Sequence, residues 1–218
     1  TTSVLKNFAT INQNLVIKEG NSIATMSAMK NIVAKAEVEE TFPQEIAIYD
    51  LNEFLGALSL FSSPILDFND SYVVISEETK PTTKMKYFYS DPSVVTSPSK
   101  MITMPSEEVK FTMSNDDLSK LKRAAGAIGA PDMVLERKEG TSSITVKDKK
   151  NDTANNYSLD VDTNGEGEFN FFFKVENMKL LDGTYDVEIS SKNISHYKNK
   201  SFDIEYWIAL EPESTYKV

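Results

Sequence analysis

Leu15-Val16-Ile17-Lys18-Glu19-Gly20-Asn21-Ser22-Ile23 follows a stretch of helical spacing at residues 3–14, and Met133-Val134-Leu135-Glu136-Arg137-Lys138-Glu139-Gly140-Thr141-Ser142-Ser143-Ile144 follows another at 115–129. Each reads as helix, strand, Lys-Glu-Gly turn, strand. In the first, Leu5, Phe8 and Leu15 lie near helical spacing with Lys6, Asn7, Thr10 and Gln13 between them, which makes one apolar and one polar face. In the second, Leu118, Leu121, Ala125 and Ile128 form the apolar side. A unit stated twice in one chain predicts two similar domains.

The rest of each half fills in around these copies. Strands are expected at 15–18, 22–26, 32–37, 45–49, 71–76 and 85–89, from runs rich in β-branched and aromatic residues. Asp50 reads as the N-cap of a short helix over 51–60 carrying Phe54, Leu55 and Leu58, stopped by Ser63-Pro64. In the second half a strand at 109–113 leads to Ser114 or Asn115 as a helix cap. Asp116 and Asp117 fall in the first turn, where the helix dipole favours negative charge. Strands follow at 133–137, 143–147, 157–161, 168–173, 184–189 and 203–210, with a short helix over 175–181 ended by Asp182-Gly183. Residues 149–156 read as a mobile hairpin tip and 192–200 as a polar loop. Two short helices among many strands in each half make the fold class α+β.

Between Asp91 and Ser106 lie three of the eight prolines. Proline fixes the backbone and cannot donate to a ladder, so this is an extended connector. The expected organisation is a first domain at 1–92, a connector at 93–106 and a second domain at 107–218.

The 218 residues carry a net charge of −10. Such a chain repels phosphate at long range, so any nucleic-acid contact needs basic residues gathered on one surface. Cysteine is absent, which excludes disulfides and thiolate metal sites. The start, Thr1-Thr2-Ser3-Val4, lacks the regions of a secretory signal. No apolar run approaches the roughly 20 residues of a membrane helix.

Catalytic signals are weak throughout. Asp160-Val161-Asp162-Thr163-Asn164-Gly165 resembles the opening of a calcium loop, but Phe171 stands where the bidentate Glu belongs. The reading is a polar hairpin turn with Asn-Gly as its turn pair. His196 is the only histidine and falls in the polar 192–200 stretch, away from any nucleophile. Glu39-Glu40 and Glu77-Glu78 are neighbours on strands and point to opposite faces. There is no phosphate-binding glycine loop; Gly126 and Gly129 fall at a helix C-terminus. No enzyme activity, metal or cofactor is expected.

The basic residues say more. Residues 119–130 contain Lys120, Lys122 and Arg123 and no acid. Lys120, Arg123 and Ala127 face away from the apolar side of that helix. Lys6 sits similarly on the first helix and Lys179 on the last. One reading is an ordinary solvated face. The other is a surface shared by these helices that meets phosphates, kept smooth by Ala124-Ala125-Gly126-Ala127. The second helix, with Glu53 as its only charge, speaks for the first reading.

Leu5-Lys6-Asn7-Phe8-Ala9-Thr10-Ile11-Asn12, Ala47-Ile48-Tyr49-Asp50-Leu51-Asn52-Glu53-Phe54-Leu55-Gly56, Phe169-Asn170-Phe171 with Glu176-Asn177-Met178-Lys179, and Ala209-Leu210-Glu211 resemble the DNA polymerase sliding clamps of T-even-type bacteriophages. The similar segments run in order along nearly the whole chain. The resemblance implies two clamp-type domains per chain, antiparallel sheets outside, two short helices per domain inside, and three subunits in a ring. It implies encirclement of double-stranded DNA, tethering of the replicative DNA polymerase, loading by an ATP-driven clamp loader and use in late transcription. The setting would be the cytoplasm of the infected bacterial host. Lys6, Lys120, Lys122, Arg123 and Lys179 would then face DNA. Clamp families dock partner tails in an apolar pocket near the connector and the C-terminus, where the matching residues are Val94, Val95, Ile208, Leu210 and Pro212. Ile208 and Leu210 read equally well as core residues of a last strand. The rival from another class is a non-catalytic β-rich phage structural protein of tail or capsid.

Overall fold

A computed structural model describes residues 1–217, and the chain divides into two compact units, Thr1–Lys100 and Met101–Val218. The division falls within the proline-bearing stretch.

The first unit opens with α1 (Thr2–Ile11), whose Leu5, Phe8 and Ile11 are buried at helical spacing. Then come β1 (Leu15–Ile17), β2 (Gly20–Met26), β3 (Ile32–Phe42) and β4 (Ile46–Ile48). They pair antiparallel in the order β4-β1-β2-β3, so the fourth strand returns beside the first. α2 (Leu51–Leu58) packs on α1. Its N-cap is Asp50, whose carboxylate accepts from the Asn52 and Glu53 amides at 2.9 and 3.2 Å. Those amides lack intrahelical partners, which is what an N-cap side chain supplies. A meander of β5 (Pro64–Phe68), β6 (Tyr72–Glu77) and β7 (Lys80–Phe88) follows.

Residues 12–14 set the two helices. Asn12 donates to the Met26 carbonyl at 2.8 Å, Asn14 donates to the Tyr49 carbonyl at 2.6 Å, and the Leu51 amide donates to Gln13 at 2.8 Å. These bonds hold the end of α1 to the start of α2.

The second unit repeats the plan. β8 (Val109–Met113) leads into α3 (Asn115–Ile128), then β9 (Asp132–Lys138), β10 (Thr141–Lys147), β11 (Tyr157–Asp160) and β12 (Glu168–Lys174). β12 returns beside β9, as β4 does beside β1, giving β11-β10-β9-β12, and β16 (Thr215–Lys217) extends the edge. β13 (Tyr185–Ser190), β14 (Ile194–Asn199) and β15 (Ile204–Ala209) form the second meander, with β8 beside β13. The Glu139-Gly140 turn has φ of 52° and 82°, the two positive values that suit a tight hairpin. α3 is capped by Ser114, whose hydroxyl accepts from the Asp117 amide at 3.1 Å and donates to its carboxylate at 2.6 Å. Gly129 closes the helix at φ 65°.

Several expectations give way. The helix expected over 175–181 is one 3-10 turn, Val175–Asn177, so the second unit has one α-helix among the described residues. Side chains satisfy that backbone from outside: the Tyr206 hydroxyl accepts from the Leu181 amide at 3.1 Å and the Tyr185 hydroxyl donates to the Leu181 carbonyl at 2.5 Å. The polar stretch 192–200 contains β14, because Ser195 and Asn199 face inward with partners; Ser195 donates to the Ile208 carbonyl at 2.8 Å. Pro64 both ends the α2 region and begins β5, the first-residue position where a strand tolerates proline. The 160–165 stretch is not a hairpin turn, since β11 and β12 are not neighbours. Instead Asn164 pairs with Lys110, accepting from its amide at 2.7 Å and donating to its carbonyl at 3.1 Å. The 149–156 stretch is anchored at its start: the Lys149 amide donates to Asp132 at 3.2 Å, and its ammonium lies 3.7 Å from the same carboxylate.

Candidate nucleic-acid interface

The exposed acids of the helices are Glu53 on α2 and Asp116 in the first turn of α3. α1 exposes Thr2, Ser3, Lys6 and Thr10 and contains no acidic residue. Lys6 makes no ion pair among the described residues. α2 exposes Asn52, Glu53 and Gly56. α3 exposes Asn115 and Asp116 in its first turn and Lys120, Arg123, Gly126 and Ala127 beyond it, with Leu118, Leu121 and Ala125 buried. The open space at Gly126 leaves this side of low relief.

The five basic candidates differ once placed. Lys120 is exposed and pairs with Asp116 one turn earlier at 2.5 Å; that bond and the Asp116 charge raise its ammonium above the ordinary lysine value. Asp116, which suits the helix dipole, therefore offsets part of the positive face. The Arg123 guanidinium reaches back to the Ser119 carbonyl at 3.4 Å and stays exposed. Lys122 turns inward and donates to the Leu180 carbonyl at 2.8 Å. Burial pushes its ammonium below the ordinary value, with the Asp182 charge acting in the opposite direction. Lys179 lies half-buried just after the 3-10 turn, not on a helix. Lys6, Lys120 and Arg123 thus present their charge to solvent.

Among the described residues no group of three or more His, Cys, Asp or Glu side chains could hold a metal ion. His196 is not a loop residue. It lies on β14 with its ring nitrogens 3.2 Å from Glu188 and 2.9 Å from Glu205, and it stacks on Trp207 at 4.9 Å.

Comparison with known proteins decides the family. The profile of the gp45 sliding clamp, C terminal, matches residues 110–212, and that of the DNA polymerase processivity factor matches residues 1–86. A curated sliding clamp of Vibrio phage KVP40 is 34% identical over 217 residues, covering 97% of this chain and 96% of that protein. The sliding clamp of Enterobacteria phage T4 is 32% identical, covering 99% of this chain and 96% of its own. The chain belongs to the phage sliding-clamp family. Its function is that of a DNA polymerase processivity factor, and the alternative of a β-rich phage structural protein finds no support among these relatives. The clamp fold extends further: PCNA from Thermococcus kodakaraensis superimposes with a TM-score of 0.69 at 15% identity, covering 96% of this chain and 95% of that one.

The clamp's suggested partner pocket divides by burial. Ile208 is fully buried and Leu210 nearly so, because β15 points Ile204, Tyr206 and Ile208 into the core. Both are core residues, as the competing reading had it. Val95 is buried with Val16 and Ala47, an anchor for the start of the connector. Val94 and Pro212 are exposed. Exposed Phe202 gave no signal in the sequence beyond being apolar. Also missed was what holds the segment before the C-terminus. The Lys149 ammonium lies 3.6 Å from Glu211 and bonds Glu213, and the Glu211 amide donates to the Phe172 carbonyl at 2.8 Å. These partners are far apart in sequence, so no local pattern marks them.

Proposed function

We propose that three copies of this clamp close into a ring around duplex DNA and hold the replicative polymerase there. The reading includes loading by an ATP-driven clamp loader, service to late-transcription factors, action without catalysis, and a place in the host cytoplasm. The observation that carries it is the doubled unit, with an α1 free of acid and an α3 free of acid beyond its first turn, on a chain of net charge −10. A ring needs no tight DNA affinity, because escape requires opening or running off an end. Weak, screened phosphate contacts then permit sliding. Lys6, Lys120 and Arg123 fit those contacts, with Lys179 and Lys122 as further members of the set. Val94 and Pro212 are the exposed members of the partner-docking set.

Edge strands supply a means of assembly. β7 and β11 each end a sheet, and an unpaired ladder edge accepts a further strand. β7 exposes Lys80, Lys84 and Lys86, while β11 exposes Ser158 and Asp160. Joining β7 of one copy to β11 of the next would set opposite charges side by side.

Light scattering during chromatography should give a trimer; a monomer at every concentration would count against the ring. Clamps loaded on nicked circles should be released when the DNA is linearised, whereas retention would contradict encirclement. Lys120→Glu with Arg123→Glu should impair loading or processive synthesis on primed circles by about tenfold or more. Unchanged synthesis would remove α3 from the DNA face.

A further inference from the structure

In the first unit the chain leaves β4 for α2, a regular helix; at the matching point of the second unit it leaves β12 for a single 3-10 turn. Met178 then adopts φ −78° and ψ 52°, and the Lys179 amide donates to the Asn177 carbonyl at 2.8 Å, a three-residue turn. From there to Gly183 the backbone has no regular structure. Such a stretch does not organise itself, and this one is gripped by side chains. From the core, the Tyr185 and Tyr206 hydroxyls bond the two backbone groups of Leu181. From α3, the Lys122 ammonium bonds the carbonyl of Leu180. Leu180 and Met178 put their own side chains into the core.

Lys122 is unusual among the basic residues of α3. Lys120 and Arg123 are exposed on the helix surface, and Lys122 is drawn under it. An ammonium gives up water at a cost unless a partner replaces it, and here a backbone carbonyl does so. The carbonyl belongs to the residue following Lys179. We infer that Lys122 is a positioning residue, a strap from α3 that fixes the 178–183 segment and so sets Lys179 beside the basic helix surface in place of a second helix. The link to DNA rests on the ring reading above; the strap does not.

The test uses the full chain with Lys122→Met, which keeps the apolar stem, and Lys122→Arg, which restores a donor. Without DNA, hydrogen exchange at the Lys179 and Leu181 amides should be about tenfold faster in the Met variant and largely restored in the Arg variant. Amides of β9 and β13 should be unaffected in both, which shows that the fold persists. If the Met variant fails to fold, Lys122→Gln replaces it in the same comparison. Unchanged exchange at Lys179 and Leu181 overturns the strap. With DNA, processive synthesis is compared for Lys122→Met, Lys179→Gln and the pair. A strap acting through Lys179 makes the pair no worse than Lys179→Gln alone, while multiplied losses overturn that coupling. If Lys120→Gln with Arg123→Gln and Lys179→Gln all leave synthesis unchanged, the DNA-face reading is the one that fails, and exchange alone decides the strap.

Discussion

Asp132 is the one buried carboxylate among the described residues. Burial raises its pKa, but the bond from Lys174 at 2.7 Å, the Lys149 amide and the charge of both lysines outweigh it, and the carboxyl titrates below the usual range. A carboxylate depressed in the folded state adds stability that is present above its unfolded pKa of about 3.9 and is lost as pH falls through the folded value. Asp132→Asn should therefore cost about 2 kcal/mol at pH near 7. The deficit should shrink below about pH 4. Urea titrations across that range check this; a deficit independent of pH would show that the charge is not what matters. None of this was legible locally. Asp132 reads as a polar residue preceding a strand, and its partners Lys149 and Lys174, which also meet Glu211, reach it only after β9, β12 and the C-terminal segment are assembled. Lys122 teaches the same lesson in reverse, since helix periodicity placed it near the basic face and a carbonyl on another segment drew it inward.

Elements with their own caps and periods were read well. α3 has an apolar stripe, a Ser114 cap and a Gly129 stop, all local features. α2 depends similarly on Asp50. Asp50→Ala should cost about 1 kcal/mol in the stability of the first unit. Amides of Asn52 and Glu53 should lose exchange protection, and unaltered protection would mean the cap is dispensable. The misread elements lack such autonomy. Val175 to Gly183 has apolar residues at spacings that fit a helix, yet two tyrosines from β13 and β15 satisfy its backbone in another form. β14 escapes the sequence reading because its inward residues include Ser195 and Asn199, which count as polar until the Ile208 carbonyl that takes Ser195 and the Ser201 amide that meets Asn199 are known.

For the whole molecule the decisive trait is repetition. Each unit has a helix, a three-strand meander, a fourth strand back beside the first, and a second meander. Net charge of −10 opposes contact with DNA, and the proposed contact meets least repulsion along α1 and the later turns of α3, which carry no acid. In the proposed β7–β11 joint, opposite charges at the sheet edges assist assembly. Lys84→Glu with Lys86→Glu should weaken the trimer by about tenfold or more. Asp160→Lys in the same chain should recover part of the loss. Sedimentation over a range of concentration measures both, and a trimer indifferent to all three changes would place the joint elsewhere.

Amphipathic period, cap chemistry and the twice-used Lys-Glu-Gly hairpin are properties of neighbouring residues, so the order of residues was enough to establish two like units, their main helices and their family. Which lysine reaches solvent, which apolar residue is core, and what ties the last strand down were decided by the tertiary structure alone. Those outcomes depend on desolvation and on hydrogen-bond partners brought from distant parts of the chain, and neither exists until the chain has folded.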